Sequence, residues 1–130
     1  MRTVDKVEAR LATSTAAAYR RCAAAAPRSF AELVQAVERY LQVIQTRATA
    51  SEFFDLGTAE RVVSRCRALL ERLGHDPSPE AHQAVQAAVE YLVLDDDGEA
   101  DQSIVGFDDD LRVVSVTAEV LGWDLPEDDA

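Results

Sequence analysis

The chain has 130 residues and 14.2 kDa, the length of one domain, and folding at this size removes roughly two thirds of the extended chain's surface from water. Hydrophobic residues at 48% and charged residues at 28%, with 5 glycines and 4 prolines, exclude a disordered tail and a collagen-like or linker sequence. Thirteen basic against twenty-four acidic side chains, a net charge of −11, argue against a nucleic-acid binder that works by bulk charge.

Thr3 to about Ala25 is alanine-rich, with Val4, Val7, Leu11, Ala18 and Cys22 at helical spacing, and reads as one helix that Pro27 ends. Ser29 followed by Glu32 forms a capping box, after which Phe30, Val34, Val37, Leu41 and Ile44 recur at spacings of four and three. This is the strongest helical stripe in the chain, and Leu41 lies near its middle. Ser51 to Leu56, with Phe53, Phe54 and Leu56, reads as one helical turn plugging the end of the core. Thr58 can cap a helix from Ala59 to Leu73, with Val62, Cys66, Leu69 and Leu73 inward and Gly74 in the left-handed stop position. His75 to Ser78 reads as a loop, and Ser78 with Pro79 starts the next helix, whose stripe is Val85, Ala88, Val89 and Leu92. Asp108 or Asp109 can cap a last helix in which Leu111, Val114, Ala118 and Leu121 share a face and Gly122 marks the end. The valine-rich start of that segment also suits a strand.

These elements make an all-α single domain over residues 1–123, an irregular bundle of about five helices with an Asp-rich loop between the last two. Residues 124–130 read as an acidic, frayed tail. No apolar run reaches the roughly 18 to 20 residues that span a bilayer, and no signal peptide is evident, so a cytoplasmic location is expected.

The acidity is segregated. Residues 1–94 hold twelve basic and eleven acidic side chains, a net charge of +1, whereas residues 95–130 hold thirteen acidic side chains against Arg112, a net charge of −12. Two clusters dominate the acidic third: Asp95, Asp96, Asp97, Glu99 and Asp101, then Asp108, Asp109 and Asp110.

The stretch from Tyr91 to Val113 carries one distinctive pattern: Tyr91-Leu92 closing a helix, Asp97 and Asp101, then Gly106, and Asp109-Asp110-Leu111 opening a helix. It resembles the YkvA-like family of small bacterial helical domains, whose usual signature is Tyr-Leu, an Asp, a Pro-Asp, a Gly and a closing Asp-Asp. Asp97, Asp101, Gly106, Asp109 and Asp110 match that signature, Ala100 stands where the family commonly has proline, and the loop before the Asp pair is one residue short. The resemblance covers about a quarter of the chain and implies a helical frame without an established catalytic activity.

Physically, the aspartates have two accounts. Asp108 and Asp109 can cap the last helix while Asp97 or Asp101 accepts backbone N–H groups in a turn. Alternatively Asp97, Asp101, Asp109 and Asp110 converge on a hard cation such as Ca²⁺ or Mg²⁺, for which oxygen ligands suit. Calcium-loop spacing fails in both registers. With Gly98 at the turn, Val93 and Ile104 fall at ligand places; with Gly106 there, Val105 and Arg112 do. No cofactor other than such a metal is implied.

Cys22 and Cys66 fit neither a zinc knuckle nor a CxxC motif and read as buried free thiols. His75 and His82 lack the spacing that puts two imidazoles on one helical face and read as surface residues. Neither a phosphate loop nor a nucleophile elbow occurs, so an enzyme is the least supported class. Arg61, Arg65 and Arg72, with Arg67 nearby, form one basic cluster and Arg20, Arg21 and Arg28 a second, each either a solvated face or a clamp for carboxylates. The leading expectation is a non-enzymatic interaction or regulatory module. It would dock a protein partner, one of basic character, through Asp95, Asp96, Glu99 and Asp108, with Arg61, Arg65 and Arg72 as a second contact face. A divalent-metal-binding domain is the alternative.

Overall fold

The computed structural model describes residues 2–50, 56–75, 77–97 and 104–125. Among these residues all regular structure is helical, in six helices: α1 (Thr3–Glu8), α2 (Thr13–Ala23), α3 (Phe30–Ala50), α4 (Leu56–His75), α5 (Pro79–Asp97) and α6 (Ile104–Leu121). The valine-rich segment that also suited a strand is thus part of a helix.

The expected first helix is two helices. Arg10 and Leu11 N–H groups fall back on the carbonyls of Val7 and Glu8, three residues earlier, and Ala12 is extended, with φ −62° and ψ 154°. The break lets α1 rest on α5 and α6 while α2 lies along α5. Val4 and Val7 are then buried on one helix and Tyr19 and Cys22 on the other. No glycine or proline marks the break, because tertiary packing overrides the alanines' local preference.

Two expected starts are present in atomic detail. The Glu32 N–H donates to Ser29 Oγ (3.1 Å) while the Ser29 N–H donates to Glu32 Oε1 (2.8 Å), a reciprocal capping box. The Ala81 N–H donates to Ser78 Oγ (3.0 Å), with Pro79 in the first helical position. Two other expectations fail. Helix α4 begins at Leu56, so Thr58 lies inside its first turn and is not the cap. Gly74 does not stop that helix, which runs to His75; Phe30 lies close to Gly74, where an added Cβ would sit 3.6 Å from the ring. The left-handed glycine among the described residues is Gly122 (φ 77°), at the expected end of α6. The aromatic plug expected over Ser51 to Leu56 lies outside the described residues except for Leu56, the first residue of α4.

Helix α5 is the axis of the fold and packs against each of the other five. Ala81, Ala84, Val85, Ala87, Ala88, Val89 and Leu92 are all buried, so most of its circumference faces protein. The small side chains at 81, 84, 87 and 88 allow neighbouring helix axes to approach closely, α2 most of all. The other stripes converge on it: Leu33, Val37, Tyr40 and Ile44 from α3; Val62, Cys66, Leu69 and Leu73 from α4; Val113, Val114, Thr117 and Ala118 from α6. Relative to expectation, the α3 face is rotated: Val34 and Leu41 are half-buried and Phe30 is exposed, while Leu33 and Tyr40 point in. In α6, Leu111 and Leu121 are likewise half-buried beside a centre at Val113 and Thr117. Packing extends past residue 123, since Trp123 is buried and Leu125 rests on the core.

Candidate functional site

The aspartate clusters sit on the two helices that flank residues 98–103. Asp95, Asp96 and Asp97 are the last three residues of α5, and Asp108, Asp109 and Asp110 lie in the second turn of α6. Asp109 therefore does not open the last helix, and neither Asp108 nor Asp109 is its N-cap, because the helix already begins at Ile104. Gly106 is helical rather than part of a loop. Glu99 and Asp101 lie outside the described residues.

Helix electrostatics favour neither placement. The C-terminal end of a helix carries a partial negative charge, and the last turn of α5 holds three aspartates and no basic residue. The favourable N-terminal field decays within the first turn, which in α6 contains no acid. Asp109 and Asp110, adjacent on the helix, also diverge: Asp109 is exposed whereas Asp110 is 1% exposed. Asp110 belongs to the interior, where its charge adds to burial in pushing the Cys66 thiol up to about 12. Among the described residues, no three histidine, cysteine or carboxylate side chains are grouped so as to hold a metal ion.

Four arginines of the helical body are paired with carboxylates within it. Arg20 donates to Glu8 Oε1 through Nε (2.9 Å) and Nη2 (2.6 Å), Arg67 Nε donates to Glu38 Oε2 (2.7 Å), and Arg10 pairs with Glu119 and Arg28 with Glu90. Arg67 holds the Glu38 carboxyl below the usual carboxylate range. Of the second expected contact face, Arg72 stacks over the Trp123 ring with its guanidinium carbon 5.6 Å from the ring centre, Arg65 is half-buried and Arg61 is exposed. The three do not form one open cluster of cations, since Arg72 helps to cover the end of α6.

Two polar arrangements have functional-looking residue types and structural roles. His82, Gln83 and Gln86, on one face of α5, hold the connector between α2 and α3. Gln86 Oε1 accepts the Arg28 N–H (2.8 Å) and its Nε2 donates to the Ala26 carbonyl (3.2 Å). Gln83 Nε2 donates to the Ala23 carbonyl (3.2 Å), and His82 Nε2 lies 2.6 Å from the Arg28 carbonyl, so that nitrogen carries the proton. His82 is thus a strap, not half of a surface pair. Tyr19 is fully buried, with its hydroxyl 3.1 Å from the Ala84 carbonyl and 3.3 Å from Thr117 Oγ1, which itself donates to the Val113 carbonyl (2.8 Å). Both arrangements escaped the sequence reading, although the 82, 83, 86 spacing on one helical face was a signal for the first.

The two cysteines are free and buried, as expected. Burial pushes the Cys22 thiol up to about 11, as it does Cys66. Because the unfolded thiols ionise near 8.5, their contribution to stability is fully present below that pH and is lost as pH rises toward 11 to 12. A thiol reagent at pH 7 should label both cysteines only at the rate of unfolding, and the denaturation midpoint should fall above pH 9; prompt labelling would contradict the packing.

No family model, no curated protein and no solved structure matches the chain. No helix among the described residues is long and apolar enough to cross a membrane.

Proposed function

We propose that this protein is a non-enzymatic interaction or regulatory module whose acidic end, built on the close of α5 and the second turn of α6, docks a basic protein partner. What supports this most is the absence of helix-end compensation where the charge is greatest. Asp95, Asp96 and Asp97 crowd a helix terminus of the wrong polarity, and residues 95–130 supply only Arg112 as a local cation. Arg10, Arg20, Arg28, Arg67 and Arg72 of the body, in contrast, have carboxylate or aromatic partners of their own. A lysine-rich surface would relieve both the repulsion and the helix-end penalty, and Asp95, Asp96 and Asp108 would be met along with Glu99. Asp110, buried against α4, has no part in it.

The divalent-cation reading of Asp97, Asp101, Asp109 and Asp110 is weaker because the last two face different surroundings. A YkvA-like ancestry for residues 91–113 belongs with this proposal too and is compatible with it, since that family carries no established catalytic activity; the early start of α6 departs from its signature. A cytoplasmic setting fits two reduced thiols.

Docking of this kind is steered by charge. The association rate of a lysine-rich peptide, followed by stopped flow, should fall steeply as salt brings the Debye length below about 10 Å. A rate indifferent to salt would remove the acidic end as the docking surface.

A further inference from the structure

Between α3 and α5 lies a groove of about 200 Å³. Its floor is Leu33, Tyr40 and Val89, all buried, and its upper wall includes Val43 and Val93. Val93 is 38% exposed and Phe30 41%, the two large hydrophobic residues among the described ones that face water. Phe30 lies close to Gly74, whereas Val93 stands at the lip of the groove.

The charge at the mouth is specific. Arg28, Arg39 and Glu90 line it; Arg28 is paired with Glu90, and its connector is strapped by Gln86 and His82, so that pair is both neutral and fixed in place. Arg39 is exposed and makes no ion pair among the described residues. An apolar slot whose described lining carries one net positive charge selects a molecule with an apolar body and an anionic head. Its volume exceeds the roughly 150 Å³ of a buried apolar cavity known to take up a benzene ring, so one ring or a chain of similar bulk fits.

We infer that the α3–α5 groove is a binding site for a small amphipathic carboxylate, with the apolar body against Ala36, Val43 and Val93, above the buried Leu33 and Val89, and the carboxylate on the Arg39 guanidinium. This site is independent of the acidic end and does not rest on that reading. The planar guanidinium fork matches a carboxylate in two parallel hydrogen bonds. Binding there would tie α3 to the central helix α5, giving the fold a ligand-dependent increase in stability.

The full chain, labelled with ¹⁵N, is titrated with octanoate, octanol and octylammonium. Octanoate should give saturable amide shifts centred on Leu33, Ala36, Val43, Val89 and Val93, with octanol roughly tenfold weaker and octylammonium weaker still. Arg39→Gln, a change at an exposed position, should bring octanoate to the octanol affinity without altering the unliganded fold. Val93→Glu, at the exposed lip, should abolish octanoate binding by placing a like charge at the mouth. Absence of saturation through the millimolar range would overturn the site, as would equal binding of the three probes or an Arg39→Gln protein that keeps its preference for octanoate.

Discussion

Replacing Tyr19 by alanine should destabilise the fold by about 3 to 5 kcal/mol, the range for removing a buried aromatic side chain. The ring is fully buried where α2 lies on α5, among small alanine side chains that cannot collapse into the space it leaves. Tyr19→Phe should cost far less, about 0.5 to 1.5 kcal/mol. Both hydroxyl partners keep other hydrogen bonds, since Thr117 still donates to the Val113 carbonyl and the Ala84 carbonyl belongs to the α5 ladder. Urea unfolding of the two variants separates ring from hydroxyl. Equal losses would mean that the polar link, rather than packing, fixes the position of α2. Burial also pushes the Tyr19 phenol well above its usual value, adding to the alkaline loss of stability expected from the thiols.

Ile44→Ala should cost about 2 to 5 kcal/mol, because the side chain is completely buried on the inward line of α3 formed with Leu33, Val37 and Tyr40. Leu41→Ala, three residues earlier on a half-buried flank, should cost only about 1 to 2 kcal/mol. Thermal or urea melts of the pair test the rotation of this helix directly. A larger loss at Leu41 than at Ile44 would restore the face centred on Leu41 that the spacing alone implies.

That rotation illustrates how legible the fold was. Spacing found the helices and, in α4, the inward residues Val62, Cys66, Leu69 and Leu73. In α3 two apolar registers overlap, 30-34-37-41-44 and 33-37-40-44, and periodicity cannot choose between them. The choice belongs to the neighbours: Phe30 packs near Gly74, and Leu33 and Tyr40 turn toward α5. Caps were legible where the motif is reciprocal, at Ser29-Glu32, and where proline follows the cap, at Ser78-Pro79. A lone Thr58 or Asp109 was a poor guide, because a helix can start upstream of a good cap, as α4 does at Leu56, which packs on the core, and α6 does at Ile104. The break between α1 and α2 had no signal at all, being set by the separate faces of α5 that the two helices cover.

For the candidate site, sequence located the charge and structure supplied its setting. The segregation of thirteen acids into residues 95–130 is plain from composition. The position of Asp95, Asp96 and Asp97 at the end of one helix, and of Asp108, Asp109 and Asp110 within another rather than in a capping loop, required the helix boundaries. Nothing in the spacing of Asp109 and Asp110 distinguishes an exposed carboxylate from one enclosed between α4 and α6.

The most direct measurement of the docking proposal compares charge removal at two places of equal count. Asp95→Asn with Asp96→Asn neutralises the end of α5, while Glu60→Gln with Glu71→Gln neutralises two exposed acids of α4. Calorimetric titration of each protein with one lysine-rich peptide at fixed ionic strength, with Ca²⁺ as a parallel titrant, reads the affinities. The account predicts a loss of about tenfold for the α5 pair, little change for the α4 pair, and no comparable Ca²⁺ binding in any of them. Equal losses for the two pairs would contradict it, as would strong Ca²⁺ binding that disappears with Asp95 and Asp96 neutralised.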